Sequence, residues 1–152
     1  MERLEGRENP MTFSSSRTAL SWNQQYLETV SDLRIGMKDI NGVNPSNTDI
    51  FLLCMAIGFD NQVKGELPAK KSDSVRLSYL KDDHEAFIRA LALHEAKDSL
   101  VLLDDEMVLD IAERFASGGL MLLAQELEGV KDFRTFLTVK LYKAAKTLRL
   151  AL

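Results

Sequence analysis

The chain has 152 residues, 45% of them apolar and 28% charged, with a net charge of −4 and a single cysteine. That length suits one domain with a sizeable core, and no apolar run approaches the ~20 residues that a membrane span needs. One cysteine excludes an internal disulfide, and an N-terminus without the apolar middle of a secretory signal adds to the expectation of a cytoplasmic protein.

Charge is spread unevenly. Residues 1–81 hold ten acidic and ten basic side chains, residues 82–128 twelve against three, and residues 129–152 one against six. Three readings stay open: the acidic middle and basic end attract each other within the fold, they face different partners, or they are solvated helix faces.

Residues 1–13, with Gly6, Pro10 and mixed charge, are expected to form a tail, and residues 14–152 a single helical domain. Ser14, Ser15 and Ser16 suit the cap of a helix in which Trp22, Tyr26, Val30, Leu33, Met37 and Ile40 recur at spacings of 4, 4, 3, 4 and 3. "NGVNPSN" (41–47) stops that helix with turn-formers. Ser46 or Asn47 then caps a helix over about 48–58, with Asp49 in its first turn. From Ile50 to Ile57 it has no polar face, which predicts burial all round. Gly58 is expected to close it in the left-handed conformation, with Phe59 folding back.

Residues 60–74 read as a surface loop. "VRLSYL" (75–80) alternates like a short strand, but Leu80 breaks the pattern, so an extended segment and one helical turn are both open. Asp82 or Asp83 starts a helix to about Ala96, with Phe87, Ala90, Leu91 and His94 along one edge. A longer helix covers roughly 104–128, its core residues being Met107, Leu109, Ile111, Phe115, Leu122 and Leu123. Gly118 and Gly119 sit inside it, and either break it or let another backbone pack close. Gly129 closes that helix, and Asp132 begins the last one, 132–149, with Phe133, Phe136, Leu137, Leu141 and Ala144 as its buried edge. The expected fold is all-α: a compact bundle of about five helices, with the segment near 75–80 as the one candidate for extended structure.

Catalytic apparatus is hard to find. "HEAKD" (94–98) starts like a zinc-protease helix, but Asp98 stands where the second histidine is needed. His84 lies some 15 Å along the helix axis from His94, too far to share an ion. A metal-dependent hydrolase built on His94, Glu95 and Asp98 is therefore set aside. Cys54 sits in surroundings too apolar to favour a thiolate, and neither a Gly-x-Ser-x-Gly elbow nor a phosphate-cradling glycine loop occurs. The paired acids Asp82-Asp83 and Asp104-Asp105 serve as helix starters. The expectation is a protein that is not an enzyme, with no catalytic, cofactor or metal residues. On the last helix Lys140, Lys143 and Lys146 fall at intervals of three, with Lys131, Arg134 and Arg149 around them. This set either contacts DNA phosphates or an acidic partner, or compensates the helix dipole.

"SNTDIFLLCMAIGFDNQVKGELP", followed by the helices to residue 128, resembles small helical accessory proteins of bacterial DNA phosphorothioation (Dnd-type) and related anti-phage defence systems. In those proteins a D-x-F/L-x-x-A-A-x-G helix leads into a loop with a glycine and a proline, and then an R-x-x-Y segment. Asp49, Phe51, Ala56, Gly58, Phe59, Gly65, Pro68, Arg76 and Tyr79 stand at comparable places. The resemblance covers about residues 46–128. It implies a non-catalytic adaptor working beside a larger ATPase or nuclease subunit, with the small middle subunit of a multi-component ATPase–nuclease complex as another setting. It carries over no catalytic residue. The residues alone also leave open a small helical DNA-binding protein using its basic C-terminal helix, and self-association.

Overall fold

The computed structural model describes residues 13, 17–68, 74–128, 130 and 132–151, with the backbone alone at 133 and 147–151. Five helices build the expected all-α bundle: α1 (Leu27–Asn41), α2 (Asn47–Asp60), α3 (Asp82–Ala96), α4 (Asp105–Leu127) and α5 (Phe133–Ala151). The apolar helix α2 packs against α4, α5 and α1, and its Ile50, Cys54, Met55 and Ala56 are completely buried. Its start is as the sequence predicts. Ser46 Oγ accepts from the Asp49 amide at 3.1 Å, and the Ser46 amide donates to Asp49 Oδ2 at 3.0 Å, a reciprocal cap.

Its end is not. Gly58 is helical, α2 runs on to Asp60, and the left-handed residue is Gln62, at φ 55°. Gly58 is small for another reason: a Cβ there would lie 2.0 Å from the Phe115 carbonyl oxygen of α4. The glycine pair answers from the other side. A Cβ on Gly119 would lie 1.8 Å from the Cys54 carbonyl oxygen, and one on Gly118 2.0 Å from that of Val63. The pair therefore leaves α4 unbroken and lets α2 and the chain after it touch α4 backbone to backbone. That following chain stays on α4, where the Gly65 amide donates to the Arg114 carbonyl at 2.8 Å. Phe59 does fold into the core, its ring edge-on to Phe115 with centroids 5.5 Å apart.

The N-terminal helix begins later than its apolar stripe suggests. Ala19–Leu20 (β1) pairs antiparallel with Val75–Arg76 (β2), in the register Ala19 to Arg76 and Leu20 to Val75. A 3-10 turn at Gln24–Tyr26 follows before α1 starts at Leu27. Trp22 is buried all the same, but from outside any helix. After β2 a 3-10 turn covers Leu77–Tyr79, so the 75–80 segment is extended first and helical second. The expected caps Ser14–Ser16 and the stop at Gly129 lie outside the described residues, as does the tail apart from Phe13. Phe13 is buried, with the Arg89 guanidinium 4.2 Å from its ring centroid.

Buried charge explains the displaced helix start. Glu113 of α4 is fully buried. It accepts from the Ser21 amide at 2.7 Å and pairs with Arg17 Nη2 at 2.5 Å, while Arg17 Nη1 reaches Asp110 at 2.9 Å. Removing one side of such a pair strands a charge in the core, at a cost of about 3–5 kcal/mol, which outweighs the few tenths of a kcal/mol of local helix preference at each residue. Arg89 of α3, which also meets the Phe13 ring, pairs with Asp105 of α4 at 3.1 Å. Beside it Glu85 is buried, and its Oε1 has no hydrogen-bond partner among the described residues. Burial pushes its carboxyl above the usual range; Arg89 pulls it down, and Asp82 and Asp105 push it further up.

Two outcomes follow from this packing. Gly119→Ala should lower stability in urea denaturation by about 3 kcal/mol, because the new methyl meets a backbone carbonyl that cannot step aside; a wild-type midpoint would refute the close contact. For Glu85, a raised carboxyl pKa means that the folded state holds the proton more tightly than the unfolded one. Its stabilising contribution is present below the ordinary carboxylate value and is lost as pH rises through the folded value. Glu85→Gln should therefore melt above wild type at neutral pH, with the gap narrowing toward the ordinary glutamate value of about 4.3. Melting curves at the two pH values check this, and a wild-type advantage at neutral pH contradicts it.

Candidate functional site

Among the described residues no helix is long and apolar enough to cross a membrane. Several large apolar side chains stand exposed at the corner between α3 and α4, among them Leu103, the most exposed such side chain of the described residues. Lys97 turns the chain out of α3 in the left-handed conformation, at φ 57°. Asp98 then caps a 3-10 turn, Ser99–Leu103, by accepting from the Leu100 amide at 3.0 Å. Asp104 caps α4 in turn, accepting from the Met107 amide at 3.1 Å.

This corner is too tight to bury all its apolar residues. Val101 points into the core, whereas Leu100 is 65% exposed, Leu103 83% and Met107 50%. Residues three apart eclipse in a 3-10 turn, so Leu100 and Leu103 share an edge, and Met107 continues it into the first turn of α4. Leu93 of α3 is exposed nearby in sequence. Both helix starts need a capping carboxylate, so Asp98 and Asp104 stand among these side chains, with Glu106 exposed beyond them. Met107 is thus a surface residue, where the α4 period predicts a core one. The periodicity misses this patch because it counts Met107 into α4 and assigns "SLVLL" to no element. Four apolar residues between two capping aspartates, in a turn with one inward face, were the available signal.

The basic set of the last helix is divided by the fold. Arg134, Lys143 and Lys146 of α5 are exposed. Lys140 is not available: it pairs with Glu126 of α4 at 2.6 Å and lies 5.6 Å from the Phe136 ring centroid, with 14% of its side chain exposed. A spacing of three drifts about 60° per step around a helix, which carries Lys140 toward α4 while Lys143 and Lys146 stay outside with Val139 and Tyr142. Leu137 and Ala144 form the buried edge, with Phe136 and Leu141 half-buried. Lys131 lies outside the described residues, as does the side chain of Arg149.

The histidine motif is occupied with structural tasks. His94 packs edge-on against Phe59, centroids 5.0 Å apart; Glu95 pairs with Lys64; Asp98 is the cap just described. Among the described residues no group of three or more His, Cys, Asp or Glu side chains is placed to hold a metal ion. Cys54 is fully buried, and burial pushes its thiol far above the ordinary range.

A family model described as DNA sulphur modification system-associated protein 4 matches residues 23–149. No curated protein and no solved structure matches the chain. The matched region reaches past the 46–128 stretch on both sides, taking in α1 and nearly all of α5. The corner at α3–α4 and the basic face of α5 are therefore features of a protein that belongs to the family of DNA sulphur modification system-associated protein 4.

Proposed function

We propose that this chain is a non-catalytic accessory subunit of a DNA sulphur modification system, working in the cytoplasm through contacts with a larger ATPase or nuclease subunit. The observation that carries the reading is the exposed edge of Leu100, Leu103 and Met107. Neighbouring large apolar side chains left in water mark a surface that another protein covers. Asp98, Asp104 and Glu106 around them favour a partner with lysines and arginines, which speeds encounter and excludes acidic surfaces. Family membership supplies the setting, and the larger ATPase or nuclease is the partner that the resemblance implies. A second reading, direct DNA contact through α5, draws on exposed Arg134, Lys143 and Lys146, and is weakened by the engagement of Lys140 with Glu126.

Expressed with the genes that accompany it in its host, the wild-type chain should purify with a larger subunit at a fixed ratio. Leu100→Ser with Leu103→Ser should reduce that recovery at least about tenfold while the helical signal in circular dichroism stays, since both residues are outside the core. Recovery of DNA with no protein would overturn the adaptor reading. Lys143→Glu with Lys146→Glu should leave the protein contact intact. If α5 does touch duplex DNA, the same variant flattens the salt dependence of binding by about two logarithmic units of slope. An unchanged slope removes α5 from any DNA contact.

A further inference from the structure

A polar cleft of about 550 Å³ lies where the start of α2, strand β2 and the start of α3 meet. That volume is in the range small-molecule sites occupy. Its walls come from two stretches far apart in sequence: Ser46 to Asp49, and the segment from Ser74 to His84 that supplies Arg76, Tyr79 and Lys81. Asp49, Arg76 and Tyr79, three of the residues that carry the family resemblance, meet here. The other six of that set lie in α2 or in the chain that follows it along α4.

The cleft is held in shape from behind. Asn47 Nδ2 donates to the Ser74 carbonyl at 2.7 Å, and Asn47 Oδ1 accepts from Arg34 Nη2 at 2.6 Å, whose Nη1 reaches the Pro45 carbonyl at 3.0 Å. Through β2 this floor is also tied to β1 and so to Glu113. On the open side Arg76, Lys81 and Tyr79 are exposed, Tyr79 at 67%. His84 Nδ1 accepts from the Lys81 amide at 3.1 Å, so the proton of the neutral ring sits on Nε2 and makes that atom a donor. Asp49, the one acid on the wall, is turned back to the Ser46 amide as part of the α2 cap.

We propose that this cleft binds a nucleotide, with its phosphate held by Arg76, Lys81 and the Nε2–H of His84 and its base laid on the Tyr79 ring. A guanidinium presents paired donors that match phosphate oxygens. An exposed aromatic ring beside them is the usual platform for a base. The amino ends of α2 and α3 both open onto this space and add to its positive potential. Asp82 and Asp83 sit just beyond Lys81, so the positive stretch is short. It suits one phosphate rather than the run of phosphates along a duplex. The site is at the opposite end of α3 from the Leu100–Leu103 corner, some 20 Å along a 15-residue helix, and does not depend on that surface being a docking site.

The same chemistry could arrive as a free mononucleotide or as the terminal nucleotide of a DNA strand. Calorimetric titration of the full chain with dAMP, and fluorescence anisotropy with a short single-stranded oligonucleotide carrying a 5′-phosphate, separate the two. Comparable affinities assign the site to a free nucleotide; a much tighter oligonucleotide assigns it to a strand end. In either case Arg76→Ala with Lys81→Ala should weaken binding at least about tenfold, and Tyr79→Ala about tenfold, whereas Lys143→Glu with Lys146→Glu leaves it unchanged. All these side chains are exposed, so loss of folding does not confuse the result. The proposal is overturned if neither probe binds saturably at about 1 mM, if the Arg76 and Lys81 variant binds as wild type does, or if inorganic phosphate competes as well as dAMP.

Discussion

The Cys54 carbonyl of α2 occupies the space that a side chain on residue 119 would need, and the Phe115 carbonyl of α4 does the same at residue 58. Two helices meeting at their backbones gain dispersion contacts along the whole crossing, and each glycine gives up about 1 kcal/mol of helix propensity to allow it. The remaining architecture depends on this crossing. A helix with no polar face must be covered on every side; α4 covers α2 at the closest range, and α1 and α5 take other sides. The chain leaving α2 is then carried along α4 to Gly65, which places Lys64 beside Glu95 and the α3 end of the molecule.

A second constraint, buried charge, fixes what the crossing leaves free. Glu113 and Arg17 lock the N-terminal segment to α4 and present Ala19–Leu20 as a strand to Val75–Arg76. Breaking such a pair costs far more than building it gains, so its main effect is to exclude alternatives. The segment from Trp22 to Tyr26 has the spacing of an α-helix but is held out of one, ending instead in the 3-10 turn before α1. β2 in turn sets the wall on which Arg76 and Tyr79 stand, so a buried carboxylate on α4 determines the shape of a cleft that it does not touch.

The α3–α4 corner and the α2–α3 cleft both arise where helices begin. At the α3–α4 corner two capping aspartates and a turn with a single inward face force Leu100 and Leu103 into water. At the α2–α3 end the capping interactions of Ser46 with Asp49 and of Lys81 with His84 engage the groups that would otherwise crowd the cleft. Helix ends carry unpaired backbone groups that must be satisfied, and doing so exposes polar and apolar side chains that a helix middle would turn inward.

The helices themselves were legible in the residues. Period, caps and composition placed α2, α3, α4 and α5 within a few residues of their observed bounds, because those signals act between neighbours three or four positions apart. The burial of α2 was legible too, since a segment without a polar face has one environment open to it. What no local signal contains is which backbone a glycine touches. Gly58 looked like a helix stop and Gly118-Gly119 like either a break or a crossing, and only the partner carbonyls of α4, of α2 and of the chain after α2 decide between them. The same holds for Trp22, Met107 and Lys140, whose positions follow from Glu113, from a short turn and from Glu126. A sequence fixes the preference of each segment, while the choice among compatible preferences is made by contacts between segments, whose energies are several times larger.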